Sequence, residues 1–142
     1  MKILVVDDDE FVHLLVAVWL AKAGGFDLQF ARDGDDALRR VAQRGPFDVV
    51  LTDYGHRGPD GLELAKALRQ KNPKQGVAMF TGGIPDWVVR SCKDLNIPVM
   101  WKPSDGQELP HLLKAAMGKK NRKPFKKKLK KGKGRATAPL TS

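Results

Sequence analysis

Two kinds of hydrophobic pattern alternate along this chain. Short apolar runs, Ile3-Leu4-Val5-Val6, Val49-Val50-Leu51-Thr52, Val77-Ala78-Met79-Phe80 and Ile97-Pro98-Val99-Met100-Trp101, have the length and β-rich composition of strands buried on both faces of a parallel sheet. Leu28 and Phe30 mark a short second strand, and the third strand is expected to run from about Phe47 to Thr52. Between the runs, apolar residues recur at helical spacing. Phe11, Leu14, Leu15 and Val18 predict a first helix ended by Gly24-Gly25; Ala37, Leu38 and Val41 predict a second, opened by Asp33 and stopped near Gly45-Pro46. Leu62, Ala65 and Leu68 give a third, ended by Asn72-Pro73, and residues from about Pro85 to Lys93 a fourth. Asp105 with Glu108 has the spacing of a capping pair for a last helix through Met117, with Pro110 placed late enough to distort it. Strand and helix signals joined by short connections predict a doubly wound, three-layer α/β domain without internal repeats.

Charge divides the chain. Residues 1–117 hold 15 Lys and Arg against 16 Asp and Glu, whereas 118–142 hold 11 Lys and Arg and no acid. The overall +10 therefore belongs to the last segment. The expected organisation is a near-neutral domain over 1–117 followed by a disordered, Lys-rich tail over 118–142, with nothing apolar enough there for a further output domain. Residues 119–135 of that tail could bind nucleic acid or an anionic surface electrostatically, and Phe125 and Leu129 stand four apart. Cys92 is the only cysteine, so no internal disulfide forms, as suits a reducing compartment; it reads as a packed thiol. The most apolar stretch, Phe11 to Leu20, follows four acids, contains His13 and is too short to span a bilayer. A soluble, cytoplasmic protein is expected.

Polar groups follow the strand runs at their carboxyl ends: Asp7 and Asp8, Asp53, Thr81, and Lys102. Ligands of open α/β sheets bind at that edge. Three carboxylates gathered there repel one another by on the order of 4 kcal/mol per pair at about 4 Å and an effective dielectric of 20, so a cation is called for. Oxygen donors suit Mg²⁺, and no thiolate or His cluster points to zinc. His13, His56 and His111 are scattered and read as surface or partly packed residues. A carboxylate beside Mg²⁺ and an ammonium can attack a phosphoryl donor to give an aspartyl phosphate, with a Thr hydroxyl donating to a phosphate oxygen. Lys102-Pro103 sets the ammonium at a strand end, where a proline can make a tight cis turn.

Over Met1 to about Met117 the chain resembles the receiver domains of two-component response regulators. The resemblance rests on Val5-Val6-Asp7-Asp8, on Asp53 followed by Asp60-Gly61, on Thr81 and on Lys102-Pro103, in the family's order and spacing. It implies a flavodoxin-like (βα)5 sandwich with a five-stranded parallel sheet in the order 2-1-3-4-5. It also implies that Asp53 accepts a phosphoryl group from a phosphohistidine on a histidine kinase or phosphotransfer protein. Asp7, Asp8, Asp53 and the backbone carbonyl of Gly55 would hold Mg²⁺, and Thr81 and Lys102 would contact the phosphate. The protein would be a single-domain phosphoacceptor that can phosphorylate and dephosphorylate itself, rather than an enzyme acting on a separate substrate, and it would signal through altered contacts with a downstream protein.

Some positions depart from the family pattern. Arg57 stands where a proline is usual, four residues after Asp53, in the loop Tyr54-Gly55-His56-Arg57-Gly58-Pro59. Val99 replaces the frequent aromatic three residues before the Lys, and a valine cannot report a shift of Thr81 by ring rotation. Gly55 and Gly83 occupy positions that tune aspartyl-phosphate hydrolysis in the family. Asp9 and Glu10 fit the start of the first helix, where acids suit the dipole. Two alternatives stand beside this reading. One is a non-phosphorylated scaffold whose tail binds a polyanion; the other is a haloacid-dehalogenase-like phosphatase using the spaced pair Asp7 and Asp9.

Overall fold

Backbone hydrogen bonds assemble the five apolar runs into one parallel sheet in the computed structural model, which describes residues 1–117. The strands are β1 (Lys2–Val6), β2 (Asp27–Ala31), β3 (Val49–Thr52), β4 (Gly76–Thr81) and β5 (Val99–Trp101). Their order is β2-β1-β3-β4-β5, as the resemblance implied. Helices α1 (Glu10–Ala23), α2 (Gly34–Arg44), α3 (Gly61–Lys71), α4 (Asp86–Asp94) and α5 (Leu109–Ala116) fill the alternate positions. The basic tail expected over 118–142 lies outside the described residues.

Strand side chains alternate between two faces, and each face has its own core. Ile3, Val5, Val49, Leu51, Ala78 and Phe80 pack with Val16 and Leu20 of α1 and Leu109 and Leu113 of α5. On the opposite face Leu4, Val6 and Val50 meet Ala37 of α2 and Leu64 and Leu68 of α3. Val77 and Met79 meet Leu62 and Ala65 of α3 and Val88 and Cys92 of α4. Two helices on one face and three on the other complete the doubly wound sandwich.

The helix starts follow local chemistry. Asp9 accepts the Phe11 N–H at 2.9 Å and Asp33 accepts the Asp36 N–H at 2.8 Å. Asp60 and Glu63 form a reciprocal capping box on α3. Four expectations need correction. β3 begins at Val49, with Phe47 a buried lead-in, and β5 begins at Val99 because Pro98 has no N–H for the ladder. The Asp105 carboxylate accepts from Gln107 rather than capping α5, which starts four residues later at Leu109. Pro110 consequently falls in the first turn, where its missing N–H costs nothing, and the expected distortion is absent.

Gly106 explains the late start. Its φ is +78°, and a Cβ there would stand 2.1 Å from Cδ2 of Trp19, whose ring packs edge-on against Phe80. Gly106→Ala is therefore expected to destabilise the domain by about 2 kcal/mol or more, through both backbone strain and a clash inside the α1–α5 contact. Urea midpoints measure it; an unchanged midpoint would show that the turn yields freely.

Candidate functional site

The sheet register sets the carboxyl-terminal edge level. Val6 of β1 is paired with both Ala31 and Thr52, and Thr81 with Trp101. The next residue of each strand is still tied to its neighbour: Asp7 N–H to Ala31 O at 3.1 Å, Asp53 N–H to Val6 O at 2.9 Å, and Lys102 N–H to Thr81 O at 2.8 Å. Asp7, Asp53 and Lys102 thus leave the sheet from fixed backbone positions. Three residues separated by most of the chain are brought to one point.

Lys102 closes the site. Its Nζ donates to Asp7 Oδ2 at 2.8 Å and lies 3.4 Å from Asp53 Oδ2. The Lys102-Pro103 bond that carries it round the strand end is cis, as the sequence suggested. Asp7 is 2% exposed; its Oδ1 accepts the Asp9 N–H at 2.9 Å, so both its oxygens are engaged. Asp8 is exposed and Asp53 half-buried, and ligand oxygens from Asp7, Asp8 and Asp53 all lie within 4.8 Å of one another. Thr81 is buried at the end of β4 beside Lys102. Gly55 is exposed in the loop after Asp53, and a Cβ at Gly55 or Gly83 would touch nothing.

Charge and burial oppose each other here. Burial pushes the Asp7 carboxyl above its ordinary value of 3.8, against the hydrogen bonds from Lys102 and Asp9, and the Asp53 charge adds to the rise. Burial alone would lower the Lys102 ammonium, but the hydrogen bond and charge of Asp7, with Asp53 behind them, hold it above its ordinary 10.5. A carboxyl raised on folding favours the folded state when protonated. Its contribution is fully present below 3.8 and is lost as pH rises through the folded value. In chelator, Asp7→Asn should therefore gain stability over wild type as pH rises from about 4 to about 7. Mg²⁺ should then stabilise wild type and not the variant. Urea midpoints across that range test both arms; a constant difference between the two chains would contradict the assignment.

Asp9 caps α1, and the oxygen cluster found among the described residues consists of Asp7, Asp8 and Asp53. Cys92 is buried and burial raises its thiol, in keeping with a packed rather than reactive cysteine. Two histidines lie closer to the site than sequence suggested. His13 Nε2 meets the Asp7 carbonyl at 2.8 Å with its ring against Phe30, and His56 Nε2 meets Thr52 Oγ1 at 2.9 Å. Both contacts run through backbone or a strand-end hydroxyl, which no spacing rule marks. His111 is exposed on α5.

A family model for the response regulator receiver domain matches residues 3–114. The response regulator protein PilR of Pseudomonas aeruginosa is 31% identical over 121 residues, covering 84% of this chain and 27% of PilR. The chain spans about a quarter of the length of several curated relatives it matches. Among solved structures, the chemotaxis response regulator CheY4 of Vibrio cholerae superposes with a TM-score of 0.70 at 27% identity, covering 82% of this chain and 98% of that one. The receiver domain of NtrX from Brucella abortus gives 0.70 at 29% identity, covering 80% and 96%.

Proposed function

This chain belongs to the response regulator receiver domain family, and on that premise we propose that Asp53 is its phosphoacceptor, charged by a phosphohistidine on a histidine kinase or phosphotransfer protein. The observation that carries the reading is the Lys102 ammonium set between Asp7 and Asp53, with Asp8 in the same oxygen cluster. A carboxylate held beside a cation at the carboxyl-terminal edge of a parallel sheet suits the role of phosphoacceptor.

An Asp53 oxygen bonds to phosphorus as the donor's phosphorus–nitrogen bond breaks. The leaving imidazole keeps the electron pair and takes a proton from solvent. Lys102 is already within reach of Asp53 and compensates charge on the incoming phosphoryl oxygens. Thr81 supplies a hydroxyl from the neighbouring strand end, and Asp7 holds the ammonium in place. The donor set is all oxygen and suits a hard divalent ion. Asp7, Asp8, Asp53 and the Gly55 carbonyl would hold Mg²⁺, which neutralises phosphoryl charge when bound. Gly55 and Gly83 offer no side chain to orient or block water, and a Cβ at either would meet nothing within 4 Å.

Output on this reading is a change of protein contacts. Val99 is half-buried against the α3–α4 core, so no rotating aromatic is present at that position. Large apolar side chains are nevertheless exposed: Phe11, Leu14 and Val18 along α1, Trp87 and Val89 on α4, and Trp101 on β5. Residues 1–117 would act as the receiver unit, and the 119–135 segment, outside the described residues, would add an electrostatic contact with a polyanion. No helix among the described residues is long and apolar enough to cross a membrane. Intact-mass analysis after treatment with acetyl phosphate tests the reading. One phosphoryl group per chain with Mg²⁺ and none in chelator is expected; labelling indifferent to Mg²⁺ would sink it.

A further inference from the structure

The loop after Asp53 is fastened at both of its sides. Toward α2, the Gly34 N–H donates to the Arg57 carbonyl at 3.1 Å. Gly58, at φ +70°, lies so close to Asp35 that a Cβ would come within 2.6 Å of its carboxylate. Toward the sheet Thr52 makes a polar side-chain connection. Thr52 Oγ1 donates to the Asp53 carbonyl at 2.7 Å and meets His56 Nε2 at 2.9 Å. With its proton committed to Asp53, the hydroxyl can only accept from His56, so the ring carries its hydrogen on Nε2. Nδ1 is buried and makes no hydrogen bond among the described residues. Only one ring nitrogen is used, and it is used on the hydroxyl that grips the Asp53 peptide.

We infer that His56, acting through Thr52, is a positioning residue for Asp53. The Asp53 peptide is where the chain leaves β3 and turns away. Its N–H is fixed by Val6, whereas its carbonyl is held by Thr52, which His56 keeps oriented. The Asp53 carboxylate itself accepts the Tyr54 N–H at 2.7 Å, so a rotation of the next peptide would drag the carboxylate with it. The His56–Thr52 bridge keeps that peptide still and the carboxylate aimed at Lys102. A proline would stiffen such a loop by fixing φ; here Arg57 stands at that place and a side-chain bridge supplies the restraint. The inference rests on the reading of Asp53 as phosphoacceptor.

Two isosteric pairs test it, because they separate the nitrogen used from the nitrogen idle. A Gln amide nitrogen reaches the place of Nε2, and an Asn amide nitrogen that of Nδ1. With acetyl phosphate and Mg²⁺, His56→Gln should label Asp53 at close to the wild-type rate, and His56→Asn about tenfold more slowly. Thr52→Ser should likewise keep the rate, whereas Thr52→Val, matched in shape but without the hydroxyl, should slow it by a similar factor. Thermal midpoints measured alongside identify any variant that is merely unfolded, and the remaining pair then decides. Equal rates for Gln and Asn, together with equal rates for Ser and Val, overturn the inference while the wild-type label stands. A wild-type chain that takes no label overturns the phosphoacceptor reading, and this inference falls with it.

Discussion

Asp53→Asn is expected to take up no phosphoryl group from acetyl phosphate under conditions in which the wild-type chain takes one, and to be more stable in chelator. Both outcomes come from the same change. The amide is a poor nucleophile, so the acyl-phosphate bond cannot form. Removing its charge also relieves repulsion with Asp7 and Asp8, whose oxygens lie within 4.8 Å. Like charges at about 4 Å cost on the order of 4 kcal/mol at an effective dielectric of 20, an upper figure that the Lys102 ammonium already reduces. Intact mass reads the first effect and a urea midpoint the second. A variant that loses the label because it unfolds would show the opposite midpoint shift. A label that survives the substitution would place the chemistry elsewhere and remove the basis for the site.

The candidate site was legible in the sequence because each group that builds it ends a strand or follows one within two residues. Asp7 follows Val6, Asp53 follows Thr52, Thr81 ends β4 and Lys102 follows Trp101. Strand runs are the strongest periodic signal in a buried parallel sheet, so their ends can be read to within a residue or two. The sheet order was not available from periodicity and came with the family resemblance. Errors gathered where the backbone of a single Gly or Pro decides. Gly106 at φ +78° delays α5 beyond the Asp105–Glu108 pair, and Pro98 shortens β5. The contacts of His13 and His56 stayed hidden for a different reason. Each contacts a strand-end backbone or hydroxyl across a turn, and nothing in residue type distinguishes such a histidine from one at the surface.

Replacing Lys102 should separate two properties that a merely structural lysine would change together. In Lys102→Met the apolar stem remains to pack, but Asp7 and Asp53 lose the ammonium now bonded to them at 2.8 Å and 3.4 Å. Phosphoryl labelling should fall by about a hundredfold, the size of effect seen when one preorganised donor to a transition-state oxyanion is removed. Stability in chelator should fall by about 3 kcal/mol, because Asp7 is buried and its charge is left unpaired. Mg²⁺ affinity should move the other way. The ammonium occupies the carboxylate oxygens that a divalent ion needs, so its removal frees them, and binding should tighten by about tenfold. Isothermal titration with Mg²⁺ and labelling rates on the same preparation give both numbers. Weaker Mg²⁺ binding in the variant would mean that Lys102 organises the acids rather than competing for them. The tug between ammonium and metal would then not be how the site is held ready for phosphate.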